Sequence, residues 1–331
     1  METLTAIKPK LAFAGVGWIG RARMQAVAES NLADLAIISD PSLECLQQAY
    51  KIAPQSRTAS FNKLIADHEI DGVVIATPNS LHMQQAVAAL DRGKAVFCQK
   101  PLGRNHLEVA AVLDAAKRNN RLLGTDFSYR YTTAFRKIYS IIQSGELGKI
   151  FAADLKFHNA YGPDKAWFYD YALAGGGCVL DLGIHLVDLL LYALGFPSAK
   201  KINSSLFAKG SSVKEKKGVE DYANVSIELD NDVTAQLACS WNLSAGSDAV
   251  IEATFFGTNG AVALKNIKGS FYDFEGLRYY GTKTEIVASP PDNWGGKALL
   301  DWIEKLSVNN SYNVQAEQFL RSAEIIDRIY E

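Results

Sequence analysis

Hydrophobic and polar positions follow two different rhythms along this chain. From Lys10 to about Phe127, short apolar runs recur: LAFAG (11–15), LAIIS (35–39), GVVIA (72–76), AVFC (95–98) and LLGT (122–125). Between them lie amphipathic stretches such as RARMQAVAES, SLECLQQAY, LHMQQAVAALDRG and HLEVAAVLDAAKRNN. Uniformly apolar strands alternating with helices of this length predict βαβ units and a doubly wound α/β domain, with its parallel sheet buried on both faces.

Past Lys149 the rhythm changes. FAADLKFHNA predicts a strand, and a Gly-rich stretch then opens a long helix from about Cys178 to Leu194. Longer strands at hairpin spacing follow. ANVSIELDNDVTAQLACSW turns at Asp-Asn-Asp, IEATFFGTNGAVALKN turns at Asn-Gly, and SFYDFEGLRYYGTKTEIVA is a third pair. On 233–241 the period of two puts Val233, Ala235, Leu237, Cys239 and Trp241 on the inward face. It leaves Asn224, Ser226, Glu228, Thr234, Gln236 and Ser240 on a polar outer face. QAEQFLRSAEIIDRIY is one more amphipathic helix. The expected division is a nucleotide-binding domain over 1–127 and an α+β domain over 128–331 with a large, mostly antiparallel open sheet. The last helix is a candidate to pack back on the first domain.

Composition narrows the classes without changing this picture. A chain of 331 residues supports two cores. A net charge of −2 offers no general attraction to nucleic acid or anionic membrane. Four scattered cysteines without a CxxC pair argue against a zinc knuckle or a disulfide framework and fit a reducing compartment. LAFAGVGWIG is too short to span a bilayer and too glycine-rich for a signal core, so the expected location is cytoplasmic. KEKKG (214–218) reads as a solvated loop.

The chemistry begins at GVGWIG. Gly15, Gly17 and Gly20 follow an apolar strand and open a helix, the context in which G-x-G-x-x-G signals a dinucleotide. Gly15 permits the turn, Gly17 lets the backbone approach a pyrophosphate, and Gly20 seats the helix on the strand. Trp18 and Ile19 lie in the same phosphate-facing turn. Asp40, ending the second strand, can accept from the adenosine ribose hydroxyls and oppose a 2′-phosphate, which favours NAD over NADP. Its plainer role is to cap a helix starting at Pro41.

Two further strands end in X-Pro, ATPNSLH (76–82) and CQKPLG (98–103). The residue before proline is biased to extended backbone. Thr77 and Lys100 are thereby held at the C-terminal edge of the sheet, where open α/β sheets bind ligands. A lysine beside a nicotinamide can polarise or protonate an alcohol oxygen.

The segment GGGCVLDLGIHLVDLLLYALG (175–195) is apolar nearly all round and therefore buried. Within it Asp181, His185 and Asp188 recur at i, i+4 and i+7, and buried charges are costly unless paired. Asp181 and His185 can meet directly, with the carboxylate fixing the imidazole tautomer and raising its basicity. That pair is either a general base or a structural carboxylate–imidazole contact. No second histidine lies at ligand spacing on this helix, so no metal is expected.

GVGWIG, ATPNSLH, QKPLG, FSYRY (127–131) and the 175–195 helix, in this order and spacing, resemble the glucose–fructose oxidoreductase / inositol dehydrogenase (Gfo/Idh/MocA) family over essentially the whole chain. The resemblance implies a Rossmann domain followed by a substrate-binding and oligomerisation domain. It implies Lys100 as the catalytic lysine and Asp181 with His185 as the Asp/His pair. Thr77, Asn79, His82, Gln99 and Lys100 would line the cofactor, and Tyr129 and Arg130 would approach the active site from the next strand. Where the family usually has Glu-Lys-Pro, this chain has Gln99-Lys100-Pro101, which keeps size but loses charge. Asn159, with His158 beside it, and Trp167, with Tyr169, are candidate substrate contacts; Trp241 is either core or a platform for a sugar ring. The implied activity is NAD-dependent hydride transfer at a hydroxyl-bearing carbon of a sugar or cyclic polyol, in a homodimer or homotetramer. NAD-assisted glycoside hydrolysis and a non-catalytic NAD-binding sugar sensor are the alternatives.

Overall fold

The computed structural model describes residues 8–213 and 218–331. Four of the five residues of the expected KEKKG loop lie outside them. The chain forms two compact units. One comprises the residues up to Ser128 with Gly295–Phe319, the other Tyr129–Trp294 with Leu320–Glu331.

The first unit holds a six-stranded sheet of β1 (Lys10–Ala14), β2 (Asp34–Ser39), β3 (Arg57–Thr58), β4 (Gly72–Ile75), β5 (Ala95–Cys98) and β6 (Leu123–Thr125). Its order is β3-β2-β1-β4-β5-β6, and every pairing is parallel. The apolar runs explain the central strands: each residue of β4 and β5 is buried. Five helices connect the strands, α1 (Trp18–Ser30), α2 (Leu43–Ile52), α3 (Phe61–Ala66), α4 (Asn79–Asp91) and α5 (His106–Arg118). The strand order reverses between β1 and β4, and doubly wound sheets bind ligands at such a reversal, outside the carboxyl ends of their strands. Residues 295–319 join this unit through a helix that the strand–helix rhythm leaves unassigned, Lys297–Val308. Its Trp302 packs over the glycines of two strands: a Cβ at Gly72 or Gly124 would come within 2.6 Å of the indole.

The second unit is built on a nine-stranded sheet. Its strands are β7 (Ile150–Asn159), β8 (Ala199–Ala208), β9 (Ser211–Ser212), β10 (Tyr222–Leu229), β11 (Thr234–Ser240), β12 (Ala249–Gly257), β13 (Gly260–Asn266), β14 (Phe274–Tyr280) and β15 (Lys283–Ala288). All three expected hairpins form. The order is β15-β14-β13-β12-β7-β11-β10-β8-β9, with β7–β11 parallel and every other pair antiparallel. Val233, Ala235, Leu237, Cys239 and Trp241 are all buried, as their alternation predicts. Ser240 is not on a solvent face: it is fully buried and shares a hydrogen bond of 2.8 Å with His158 Nδ1. The C-terminal helix binds within this unit. Ser204 Oγ donates to the Ile329 carbonyl at 2.7 Å, and Arg328 donates to the Ala199 carbonyl at 2.5 Å.

The long apolar helix forms, with one difference. Val179–Gly183 is a π-helical turn, and regular α-helix runs only over Ile184–Leu194. The stretch Tyr171–Leu194 is long and apolar enough to cross a membrane by length and composition, but 83% of its apolar window is buried inside the protein, the condition of a core helix. Asp188, on this helix, accepts a bidentate pair from Arg130, with Nε at 2.7 Å, and the guanidinium lies 4.4 Å from the Tyr192 ring centroid. Burial pushes the Asp188 carboxyl above its ordinary range, and Arg130 pulls it back.

Removing one member of such a pair strands the other in a low-dielectric interior. Asp188→Asn should therefore cost about 3–5 kcal/mol, whereas replacing both Arg130 and Asp188 by apolar residues of similar volume should cost much less. Urea unfolding of the two variants and the unaltered protein checks this, and a cost below about 1 kcal/mol for Asp188→Asn would remove the pair from the determinants of this helix.

Candidate active site

The glycine loop is a space kept clear on purpose. Gly15 adopts φ +85°, and a Cβ there would overlap the Ala76 carbonyl. A Cβ on Gly20 would overlap the Gly15 carbonyl, so Gly20 is what lets α1 start so close to the strand. Gly17 differs: a Cβ there would meet nothing within 4 Å. Crowding inside the protein does not demand a glycine at 17, whereas close approach by a pyrophosphate does. Gly17 is the N-cap of α1 and no side chain caps that end, so the first N–H groups of a 13-residue helix, with the positive end of its dipole, are left to an external anion. Trp18 is exposed and Ile19 half-buried in this first turn. These residues fit a dinucleotide phosphate.

Asp40 ties this loop together. Its Oδ2 accepts from Val16 N at 2.8 Å and its Oδ1 from Ser42 N at 2.9 Å. It does not cap the next helix; Ser42 does, accepting from Cys45 N at 3.2 Å, and the helix starts at Leu43. A carboxylate has about four acceptor positions, so ribose hydroxyls can still be bound.

At the carboxyl ends of β4 and β5, His82 pins the two X-Pro turns to one another. It is 1% exposed, with Nδ1 2.6 Å from the Pro101 carbonyl oxygen and Nε2 2.7 Å from that of Thr77. Burial depresses its proton affinity, and the two carbonyls oppose that. Both ring nitrogens are thus engaged by main chain, and His82 braces the two turns. Thr77 Oγ1 donates to Gln85 at 2.7 Å. Asn79 starts α4 and is buried; Lys100 is half-buried beside Pro101.

Gln99 points into a buried polar cluster. Its amide donates to the Asp126 carboxylate, which also accepts from Arg23 Nε at 2.5 Å and from Ser128 Oγ at 2.5 Å. A polar side chain at 99 satisfies one acceptor of the Asp126 carboxylate, whose charge is met by Arg23. Asp126 and Arg23 carry no local signal of this role, since they lie 103 residues apart.

In the second unit the polar residues of the buried helix separate by partner. Asp181 accepts from Trp241 Nε1 at 3.1 Å. Trp241 is a buried residue, its ring met edgewise by Phe168 and Tyr169. His185 is 8% exposed and meets the Tyr129 ring edge-on, with centroids 4.7 Å apart. Burial, with the nearby charge of Asp181, holds the Tyr129 hydroxyl protonated far above its usual range. Arg130 is engaged by Asp188, which accounts for its charge without a substrate. Trp167 stacks on Phe168 at 3.8 Å between centroids. Asn159 ends β7, and its side-chain oxygen is buried with no donor. His158 stacks on Tyr222.

Two family profiles match the chain. One described as "Oxidoreductase family, NAD-binding Rossmann fold" covers residues 10–127, and the "GFO/IDH/MocA C-terminal domain" covers 135–263. The chain is 29% identical to "Glucose-6-phosphate 3-dehydrogenase" of Bacillus subtilis over 97% of its own length and 95% of that protein's. It is 30% identical to "1,5-anhydro-D-fructose reductase" of Ensifer adhaerens over 63% of this chain and 66% of that one. Among solved structures, a levoglucosan dehydrogenase in complex with NADH shares the fold, with a TM-score of 0.81 at 21% identity, covering 97% of this chain and 96% of that one. Matched in both of its units, the chain belongs to the Gfo/Idh/MocA family of oxidoreductases and carries that family's NAD-binding Rossmann domain.

Proposed function

We propose that this protein is a dehydrogenase that oxidises or forms a secondary hydroxyl of a sugar or cyclic polyol, with NAD preferred over NADP. The observation that carries the reading is Asp181 and His185, four residues apart on a helix whose other side chains are almost all apolar. Maintaining an imidazole and a carboxylate there costs stability that an apolar pair would not, and proton transfer to a substrate oxygen supplies the reason. The named relatives act on sugar derivatives, which supports the substrate class.

Bound nicotinamide supplies the hydride acceptor or donor for the carbinol carbon. The protein's own residues do the rest. Gly15, Gly17 and Gly20 with the α1 N-terminus hold the pyrophosphate, and Asp40 binds the ribose hydroxyls. His185 takes the hydroxyl proton at a ring nitrogen as the carbonyl forms, and returns it in the reverse direction. Asp181, steadied by Trp241, stabilises the resulting imidazolium. Lys100, at the carboxyl edge of the first unit's sheet, is a donor suited to a developing alkoxide charge. Asn159 offers its buried carbonyl oxygen to a substrate hydroxyl. The four cysteines are free thiols, including Cys178 and Cys239 with sulfurs 3.8 Å apart, which suits a reducing cytoplasm. The homodimer or homotetramer suggested by the family is part of the same proposal.

Asp40 should make NAD bind at least ten-fold tighter than NADP, about 1.4 kcal/mol. Asp40→Ala should shrink that gap, chiefly by weakening NAD, and titration calorimetry with both cofactors measures it. Equal affinities in the unaltered protein would sink the preference.

A thermal-shift panel of free sugars, cyclitols and nucleotide sugars with NAD present identifies the substrate, because native-state binding raises Tm. With it in hand, Lys100→Ala and His185→Ala should each lower kcat by roughly 10²–10⁴, with NAD affinity within a few-fold. Normal turnover in either variant returns that residue to a structural role.

Gln99→Glu sets a second carboxylate against Asp126 in a buried site. It should cost about 1–3 kcal/mol of stability and leave the pH–rate profile in place. Unchanged stability with a basic shift of two units would direct residue 99 at Lys100 instead.

A further inference from the structure

The helix that carries Asp181 and His185 begins without a cap of its own. Residues 175–177 are all glycine, so the preceding chain has no side-chain oxygen for the free N–H groups of the first turn. One distant residue takes them instead. The Glu220 carboxylate accepts from Gly177 N at 3.0 Å and from Val179 N at 2.8 Å, and its own carbonyl accepts from Cys178 N at 2.9 Å. Three consecutive amides therefore end on a single residue. Tyr330, next to last in the chain, donates its hydroxyl to the same carboxylate at 3.0 Å.

The glycines are what allow this approach. A Cβ on Gly177 would overlap the Glu220 carbonyl, and one on Gly176 would overlap the Tyr330 hydroxyl. Glu220 is fully buried, and burial pushes its carboxyl up to about 7 while the donors from Val179, Tyr330 and Gly177 pull it back. An apolar residue with a local Ser or Asp cap would stabilise an ordinary helix start without burying a carboxylate. The next residue extends the arrangement to the reacting groups. The Asp221 carbonyl accepts from Trp241 N at 2.7 Å, and Trp241 Nε1 donates to Asp181. The dipeptide 220–221 thus holds both the turn from which Asp181 projects and the indole that Asp181 accepts from.

We infer that Glu220, braced by Tyr330, is a positioning residue that sets the placement of Asp181 against His185 by gripping the amides of residues 177–179. The inference rests on the Asp181–His185 reading above. It requires that loosening the grip be felt at His185, one helical turn beyond Asp181.

The histidines report this without any substrate. The chain has five, and ¹³Cε1 labelling with a His185→Gln reference assigns the resonance of His185. In the full-length protein, Asp181→Asn should lower the His185 pKa by about one unit, since an opposite charge within reach favours the imidazolium. Glu220→Gln replaces one of the two accepting oxygens with an NH₂ donor, and should lower it by at least half that amount while His68 and His106 stay fixed. In the Asp181→Asn background, Glu220→Gln should add no further shift, because both act through one carboxylate. If Asp181→Asn moves His185 and a folded Glu220→Gln does not, the positioning role is overturned and the Asp–His pair stands. If Asp181→Asn leaves His185 unmoved, the pair itself falls and the inference with it. Should Glu220→Gln fail to fold, Tyr330→Phe decides. It removes one hydroxyl, and should shift His185 in the same direction by a smaller amount; no shift overturns the inference.

Discussion

The second unit is organised by the cost of keeping charge on a buried helix. Residues 179–194 are enclosed on nearly every side, yet the segment carries two carboxylates, an imidazole and the free N–H groups of its first turn. Water cannot reach most of these, so the two carboxylates and the amides are each matched by a group from elsewhere in the chain. Arg130 answers Asp188, Trp241 answers Asp181, and Glu220 answers the amides. The partners come from a turn before the sheet, a strand end and a loop between strands. Their joint requirement fixes where those elements can lie around the helix. The wide π turn sits between the gripped amides and the α-helical run, where a register change is commonly associated with function.

The first unit solves the reverse problem. There a region must stay open and polar while the sheet beneath it is dry and close-packed. Glycine does this at three positions for three reasons: a positive φ at Gly15, close packing at Gly20, and clearance for something external at Gly17. The turns that flank the opening are short on regular structure, so they are braced from below. His82 spans the carbonyls of Thr77 and Pro101, and Asp126 gathers Arg23, Gln99 and Ser128 into one cluster. Both braces are almost fully buried, where hydrogen bonds to charged groups are strong and unmatched ones costly.

Polar residues near the functional groups thus include several that hold others still. Arg130, His82, Gln99 and Trp241 all make such contacts. Each is of a type that commonly touches ligands, and each is engaged by another group of the protein. A motif marks the neighbourhood without specifying these contacts, because side-chain direction depends on partners that the motif does not contain.

The sequence by itself determined whatever depends on neighbours along the chain. Apolar runs of four or five residues specified β4 and β5, the period of two assigned the buried face of β11, and glycine spacing after an apolar strand marked the nucleotide loop. The buried helix at 178–194 was legible because a segment apolar all round has no solvent face. Only the tertiary structure decided which buried polar groups meet. Arg23 finds Asp126 across 103 residues, Arg130 finds Asp188 across 58, and Tyr330 finds Glu220 across 110. The helix at 297–308 likewise returns to a unit that the chain left at residue 128. Such pairings leave no periodic trace, since they are selected by the desolvation cost of leaving a charge or an amide alone, and that cost exists only once the rest of the fold has excluded water.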